Sequence, residues 1–310
     1  MKRLIRQLSL ALGLYESLGV LVAKMQGFYR GIRISRDAAG DYRVRDRAGR
    51  VIVINKRHAI YLADMVLYFD FFFGAVTPDA KNEVHFEIPA WQTLPGFDGP
   101  VYFTSLAESA STLDLYQELV GLKPGDVVLD VGAYCGLSSI GFARRVGEAG
   151  RVYAFEPDPE NFAALQKNRE SFGLKNLSAE KFAIWKESGT LEFQADGTAG
   201  ASVGTVSGRR NSTVQVNATT LGDFAASQAL PRIDLIKIDA EGSEADILLS
   251  SRALLRQFRP ALIVELHPVH DVMTTEACQA ILKEEGYEMR IVPQPGTSCP
   301  LMVAKPVRPG

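Results

Sequence analysis

A strand, an acid, two glycines, a helix, a second strand and a second acid follow one another within residues 127–156, and this order constrains the fold more than any other feature. The pieces are a strand over 127–131 that contains Asp130, then Gly132 and Gly136, a helix over 137–145, a strand over 152–155, and Glu156. In open α/β sheets, ligands bind outside the carboxyl ends of the strands. Gly132 allows a sharp turn there, and we expect Gly136 to let a ligand approach the amino end of the helix. The segment therefore predicts a cofactor-binding β-α-β unit.

The spacing of the glycines indicates the kind of cofactor. It is Asp-x-Gly-x-x-x-Gly, and the three-glycine pattern of dinucleotide sites is absent. Asp130 would repel a pyrophosphate, but it suits a cofactor that carries an ammonium and a sulfonium group. Glu156 can accept two hydrogen bonds from a ribose diol. The pattern favours S-adenosylmethionine, with an NAD-dependent oxidoreductase as the weaker alternative.

Short apolar runs alternate with helical patterns from about residue 105 onward. After the first two strands, strand-like runs recur at 233–238, 261–266, 287–292 and 301–304. Continuous apolar strands between helices are typical of a mostly parallel sheet with helices on both faces. We therefore predict one α/β domain over residues 101–310, preceded by a smaller α+β extension over residues 1–100.

Several of these motifs resemble those of the FkbM family of class I methyltransferases. The stretches that carry the resemblance are Leu129–Gly136, Phe155–Pro157, Ile236–Glu244 and Val264–His267, within a similarity that covers about residues 100–305. The resemblance implies a Rossmann-like, seven-stranded sheet with an antiparallel last strand, and S-adenosylmethionine as methyl donor. It also implies an O-methyltransferase of natural products, sugars or polysaccharides.

The resemblance assigns roles to particular residues. Around the methionine part of the cofactor it places Asp130, Gly132, Ala133, Tyr134 and Gly136. It gives Glu156 the ribose, places Pro157 and Ala183 near the adenine, and turns Asp239 toward both the cofactor and the acceptor. Because Tyr134 fills a position that is often small or polar in such loops, its side chain is not expected to contact the cofactor.

Methyl transfer to a hydroxyl also needs a group that takes the proton. The candidates at strand ends are Asp239, Glu241, Glu265 and His267. His267 is the best single base at neutral pH because the ordinary pKa of imidazole is about 6.5; the alternative is a histidine that bonds a loop backbone. Asp239 and Glu241 could orient the hydroxyl, or hold a divalent cation with a neighbour. No metal is predicted.

The first 100 residues differ in texture from the rest. Residues 3–28 read as an amphipathic helix, 31–36 and 42–55 as small antiparallel hairpins, and the aromatic stretch 56–76 as part of an irregular region or a substrate-facing lid. Residues 1–58 hold 13 Lys/Arg and four Asp/Glu, whereas the whole chain has 34 and 36. Such a basic end can meet an anionic membrane or pack on the acidic remainder.

Other features of the sequence indicate where the protein is located and what it contacts. No run of about 18 apolar residues could span a bilayer, and the three cysteines form no CxxC pair, which fits a reducing compartment. We expect a cytoplasmic enzyme that acts on a small-molecule or glycan acceptor, without nucleic acid. Peripheral membrane contact through residues 3–28 and homo-oligomerisation stay open. The rival from another class is a membrane-surface or scaffold protein that has the fold without the activity.

Overall fold

The computed structural model describes residues 15–195, 197–198, 200, 202–203, 213–269 and 272–307. The chain divides into two compact units, the first formed by residues 1–110 and 295–297 and the second by residues 111–294 and 298–310. The first unit contains α1 (Tyr15–Arg30), β1 (Arg33–Arg36), β2 (Tyr42–Arg45), β3 (Val51–Ile54), a 3-10 helix (Lys56–Tyr61), α2 (Leu62–Leu67), α3 (Phe69–Gly74), β4 (Glu83–Phe86), β5 (Ala90–Gln92) and β6 (Val101–Phe103).

A four-stranded sheet with the order β1-β2-β3-β4 organises the first unit. Strands β1, β2 and β3 are antiparallel neighbours, as the turn signals predicted, but β4 is parallel to β3. A parallel return needs a crossover connection. The prediction that residues 56–76 are irregular was wrong, because the 3-10 helix, α2 and α3 lie there and lead from β3 to β4. The buried positions in α2 and α3 recur at helical spacing: Leu62, Met65, Val66, Phe69 and Phe73.

Helix α1 carries apolar side chains on an outward face. The large hydrophobic residues exposed there are Leu18, Leu21, Val22, Met25, Phe28 and Tyr29. Residues 3–14 of the predicted amphipathic helix lie outside the described residues. Among the helices that the structure describes, none has both the length and the apolar character that a membrane span requires.

The second unit holds the longer strands and helices. In chain order they are α4 (Ser111–Val120), β7 (Val127–Val131), α5 (Leu137–Val146), β8 (Arg151–Phe155), α6 (Pro159–Ser171), β9 (Leu177–Glu180), β10 (Ala183–Ile184), β11 (Gly189–Gln194), β12 (Ser202–Val203), β13 (Thr213–Thr219), α7 (Leu221–Ser227), β14 (Leu235–Ile238), α8 (Glu244–Ser250), α9 (Arg252–Phe258), β15 (Ala261–Glu265), β16 (Pro268–Val269), β17 (Val272–Met273), α10 (Thr275–Glu284), β18 (Tyr287–Val292) and β19 (Leu301–Pro306).

Seven of these strands form the main sheet, in the order β18-β19-β15-β14-β7-β8-β9. Strand β19 is antiparallel to β15 and β18, and the other neighbouring pairs are parallel. The predicted seven-stranded, mostly parallel sheet with an antiparallel last strand is therefore confirmed. From β7 the chain proceeds outward to β8 and β9, and it then returns to the other side of β7 with β14. This reversal between β7 and β14 is where open α/β sheets bind ligands.

Alternating side chains bury both faces of the main sheet. On β14, Leu235 packs with α4, α5 and α6, whereas Ile236 and Ile238 pack with α7 to α10. Full burial of each such side chain is worth about 1.5–3 kcal/mol. Lys237 interrupts this apolar pattern although it is only 3% exposed, and a buried ammonium needs partners.

Candidate active site

Three central strands of the main sheet end level with one another. The last residues in register are Ile238, Val131 and Phe155. The residues that follow, Asp239, Gly132 and Glu156, therefore come next to each other at the carboxyl edge of the sheet. The structure thus brings Asp239, Glu156 and Gly132 together at the point where the strand order reverses.

Both Gly132 and Gly136 are required in the turn. The reason for Gly136 differs from the one that the sequence suggested. Gly132 has a φ of +74°, and a Cβ there would lie 1.8 Å from the carbonyl oxygen of Asp239. A Cβ on Gly136 would lie 2.4 Å from Cδ1 of Leu165 in α6. Gly136 therefore allows the turn to pack on a helix, and its missing side chain does not face a ligand.

Glu156 holds the turn from the neighbouring strand. Its two carboxylate oxygens accept the backbone N–H groups of Tyr134 at 2.8 Å and Asp158 at 2.9 Å. Each oxygen keeps a lone pair that a ribose hydroxyl could use. Burial raises the pKa of Glu156 to about 8, against the opposing effect of these backbone donors.

The remaining predicted cofactor residues are buried around this turn. Ala133 donates its backbone N–H to the carbonyl of Phe155, and Tyr134 adopts a φ of +50°. Side chains of Ala133, Tyr134, Pro157 and Ala183 are all buried. Phe182, next to Ala183, has its ring 5.7 Å from that of Phe155. The assignment of Ala133 and Tyr134 to the methionine part and of Pro157 and Ala183 to the adenine stays a prediction.

Asp130 is enclosed and faces other protein groups. Its Oδ2 accepts hydrogen bonds from the hydroxyls of Ser138 at 2.7 Å and Ser139 at 2.6 Å, and its Oδ1 lies 3.3 Å from Nζ of Lys237. The side chain is fully buried. In this arrangement Asp130 fastens the first turn of α5 to the strand, so the contact with the cofactor ammonium stays a prediction.

Lys237 ties the ends of β7 and β14 together. Its ammonium donates to the carbonyl of Gly132 at 2.9 Å and also lies 3.5 Å from Asp239 Oδ2. Sequence reasoning did not assign it a role. The available signal was a lysine in the middle of a strand whose other residues are apolar.

We expect Lys237→Met to destabilise the protein by about 3–5 kcal/mol, because it leaves the buried carboxylate of Asp130 without its cation. Thermal unfolding should then shift down by roughly 10 °C. Lys305→Met is the matched control, since Lys305 lies exposed on β19 of the same sheet. A double variant with Asp130→Asn should recover part of the loss. Equal melting of Lys237→Met and Lys305→Met would show that the ion pair does not hold the turn.

Beyond the strand ends, His267 stands among carboxylates. Its Nε2 lies 3.7 Å from Asp239 Oδ1, 3.8 Å from Glu241 Oε1 and 3.7 Å from Glu265 Oε1. The imidazole side chain is 9% exposed, whereas Asp239 and Glu241 are 28% and 31% exposed. The structure therefore gathers the three residues predicted to be catalytic, and two of them are open to an incoming molecule.

Glu244 fixes the orientation of His267. This residue ends the motif Ile236–Glu244, but no role was predicted for it. It is fully buried, and its Oε1 is 2.9 Å from Nδ1 of His267. The same carboxylate accepts the N–H of Gly242 and the hydroxyl of Thr274. With Nδ1 bonded to Glu244, Nε2 is the ring nitrogen that faces the three other carboxylates.

The carboxylates of this cluster shift the pKa of His267 away from the ordinary value that the sequence interpretation used. Burial disfavours the charged form of His267, but Glu241, Glu244 and Asp239 outweigh that cost and raise its pKa well above the ordinary value. The imidazole therefore carries a proton at neutral pH in this environment. Burial, followed by repulsion from Asp239, also raises the pKa of Glu265 to about 8.

The residues at the strand ends fit the expected cofactor. Glu156 offers acceptors for ribose hydroxyls, and the carboxyl edge carries Asp239 next to it. In their ionised form these carboxyl groups suit a cationic sulfonium and would oppose a pyrophosphate. When bound, S-adenosylmethionine supplies an activated methyl group, so the protein's main tasks are alignment and exclusion of water.

Several known proteins that are similar to this chain are named methyltransferases. The chain is 27% identical over 173 residues to the 2-O-methyltransferase NoeI of Sinorhizobium fredii, covering 50% of this chain and 70% of that protein. It is 27% identical to the hexuronic acid methyltransferase AglP of Haloferax volcanii, over 46% of this chain and 56% of that protein. For the 31-O-demethyl-FK506 methyltransferase FkbM of Streptomyces tacrolimicus the values are 28%, 42% and 60%. The chain thus spans between about half and 70% of these relatives.

A solved structure and a family model complete the comparison. The crystal structure of a methyltransferase FkbM from Methylobacillus flagellatus aligns with a TM-score of 0.46 and 15% identity, over 80% of this chain and 55% of that one. The model of the methyltransferase FkbM domain matches residues 130–289, which is just over half of the 310 residues and contains every predicted site residue. The chain therefore belongs to the FkbM family of methyltransferases, with S-adenosylmethionine as its methyl donor.

Proposed function

We propose that this protein transfers the methyl group to a hydroxyl of a sugar, polysaccharide, lipid-linked or natural-product acceptor. The observation that carries the proposal is the cluster of Asp239, Glu241 and His267 beside the cofactor edge. A fold kept only as a scaffold has no need to bury Glu244 and His267 together, since buried charges cost several kcal/mol each. The names of NoeI, AglP and FkbM, which refer to 2-O-methylation, a hexuronic acid and FK506, support an oxygen-bearing acceptor.

In this proposal the chain's own groups handle the acceptor. Asp239 and Glu241 are exposed enough to accept hydrogen bonds from the acceptor and to orient the attacking oxygen. A carboxylate of the cluster receives the proton that the hydroxyl loses as the new bond forms, and the protonated imidazole of His267 holds these carboxylates in place. Alignment of the attacking oxygen with the methyl carbon is the largest contribution that such positioning can make.

The experiment that tests this proposal is methyl transfer from radiolabelled S-adenosylmethionine to a panel of hydroxylated glycans, glycolipids and macrolides. For each acceptor that is labelled, the analogue with the receiving hydroxyl removed or already methylated serves as control. We expect label on the free hydroxyl and none on the blocked analogue. Labelling of the blocked analogue to the same extent would rule out O-methylation at that position.

We also propose that α1 lies on an anionic membrane. Its exposed apolar residues, at positions 18, 21, 22, 25, 28 and 29, fall on one helical face, and Lys24, Arg30 and Arg33 are exposed nearby. We expect Phe28→Ser/Tyr29→Ser to weaken flotation with vesicles containing phosphatidylserine, while Ile88→Ser, which replaces an exposed apolar residue elsewhere in the same unit, leaves it unchanged. A face that instead forms a homo-oligomer would give concentration-dependent association without lipid and equal flotation of all three proteins.

A further inference from the structure

We propose that Asp239, Glu241 and His267 bind one divalent cation of the Mg²⁺ or Mn²⁺ type. This inference deepens the proposed O-methyl transfer and rests on it for its purpose, although the binding itself can be measured separately. The possible ligand atoms of the three residues all lie within 4.8 Å of one another. Atoms that share an ion at about 2.1–2.5 Å lie roughly 3–5 Å apart, depending on the angle between them.

The orientation of His267 points to a ligand beyond the acids themselves. Its side chain is nine-tenths buried, and its Nε2 is aimed into the cluster. Among the described residues, the carboxylate oxygens nearest to Nε2 lie 3.7–3.8 Å away, which is too far for hydrogen bonds. An ion between these atoms would displace the proton from Nε2 and give this nitrogen a partner.

The other ring nitrogen has the partner that metal-binding histidines commonly use. Nδ1 lies 2.9 Å from the fully buried carboxylate of Glu244, which is itself held by the N–H of Gly242 and the hydroxyl of Thr274. A carboxylate in this position fixes the ring and increases the basicity of the ligating nitrogen. Glu244 is therefore a positioning residue in this proposal.

Charge balance gives the cation a chemical purpose. Four carboxyl groups, those of Asp239, Glu241, Glu244 and Glu265, surround one imidazole, and the ammonium of Lys237 lies 3.5 Å from Asp239. An acceptor oxygen that becomes negative next to these carboxylates would be repelled by them. A divalent cation reverses the local sign and lowers the pKa of a hydroxyl that coordinates it.

The reaction balances with the ion present. The acceptor oxygen binds the ion and gives its proton to a carboxylate of the cluster. The bond between that oxygen and the methyl carbon forms as the carbon–sulfur bond breaks. The electron pair of the broken bond stays on sulfur, which yields S-adenosylhomocysteine and a methyl ether, and the ion is unchanged.

The donor set selects the kind of metal. Two carboxylates and one imidazole, with open positions for an acceptor, suit Mg²⁺ or Mn²⁺. A second grouping, Glu265, His267 and Cys299, shares the same imidazole and would favour Zn²⁺ through its thiol. We favour the first set because Asp239 and Glu241, at 28% and 31% exposed, are more accessible to an acceptor than Glu265, at 15%.

The test is Mn²⁺ binding to the full chain, followed through the electron paramagnetic resonance signal of free Mn²⁺ and by calorimetry, without donor or acceptor. We expect one ion per chain, and a nitrogen coupling from one imidazole in pulsed spectra of the wild-type protein. Asp239→Asn and His267→Asn should each weaken binding at least tenfold, and Glu244→Gln by about 10- to 100-fold.

His85→Asn is the matched control, because His85 also lies near three carboxylates but is 39% exposed in the first unit. It should leave Mn²⁺ binding unchanged. The proposal is overturned if wild-type protein binds no Mn²⁺ at millimolar concentration, if no nitrogen coupling is seen, or if Zn²⁺ binds alone and is lost in Cys299→Ser. If no Mn²⁺ binds but methyl transfer persists with excess chelator present, the metal site is refuted and the proposed function stands. If Mn²⁺ binds but no methyl transfer occurs, the proposed function is refuted and the metal site stands.

Discussion

His267→Ala should lower the turnover number for methyl transfer by about 10²- to 10⁴-fold, with the affinity for S-adenosylmethionine nearly unchanged. The substitution removes Nε2, the atom around which Asp239, Glu241 and Glu265 are arranged at 3.7–3.8 Å. The loss of the imidazole that holds these carboxylates and the loss of a ligand for the proposed cation both predict this effect. Steady-state kinetics with a saturating acceptor, together with calorimetry of donor binding, would measure the two quantities separately.

The control for this variant is His85→Ala, which removes a histidine from a more exposed group of carboxylates in the first unit. Its turnover should equal that of the wild type. Unchanged turnover in His267→Ala would remove this residue from the chemistry. A parallel loss of donor affinity would instead assign His267 to cofactor binding, contrary to our proposal.

Glu156→Ala should weaken binding of S-adenosylmethionine by about 2–4 kcal/mol, equivalent to roughly 30- to 1,000-fold in Kd. Two contributions disappear together. The ribose loses a hydrogen-bond acceptor, and the backbone N–H groups of Tyr134 and Asp158 lose the carboxyl group that holds the turn. Isothermal titration with donor and with S-adenosylhomocysteine would check the prediction.

The pH dependence of the same titration has a definite sign. The pKa of Glu156 is raised to about 8, so the carboxyl is mostly protonated below that pH and charged above it. A charged acceptor binds ribose hydroxyls more strongly. Donor affinity should therefore rise from pH 7 to pH 9 in the wild type and in the exposed control Glu187→Gln, and stay flat in Glu156→Gln. A wild-type affinity that is flat with pH, or an unchanged Kd in Glu156→Ala, would exclude Glu156 from the cofactor site.

Local patterns were enough to predict the framework of the second unit. The apolar runs ending at Val131, Phe155 and Ile238 each correspond to a strand, and the acids or glycine that follow them meet at one edge. This works because the carboxyl ends of parallel strands share one side of a sheet, so residues distant in sequence become neighbours by topology alone. The family comparison adds that this framework is that of a methyltransferase.

Contacts between side chains could not be predicted in the same way. The bond between Glu244 and His267 joins residues 23 positions apart, and its existence depends on how α8 starts relative to β15. Gly136 was expected to leave space for a ligand, yet its packing against Leu165 depends on the approach of α6. The ordinary pKa expected for His267 was also wrong, because neighbouring carboxylates that the sequence does not reveal raise it.

The first unit was predicted less well because its signals are mixed. The aromatic residues between 61 and 73, together with the prolines and glycines between 78 and 100, suggested an irregular segment. The helices are indicated instead by the helical spacing of the apolar residues that they bury, Leu62, Met65, Val66, Phe69 and Phe73.

The most direct test of methyl transfer to oxygen is a reaction with S-adenosylmethionine labelled with ¹³C in its methyl group, in the presence of a hydroxylated acceptor. The ¹³C chemical shift of the product distinguishes methyl on oxygen from methyl on nitrogen or carbon. We expect a methyl ether, formed in equal amount to S-adenosylhomocysteine, and its loss in His267→Ala. Label on nitrogen or carbon, or formation of the ether at the wild-type rate in His267→Ala, would contradict the site and the function proposed for it.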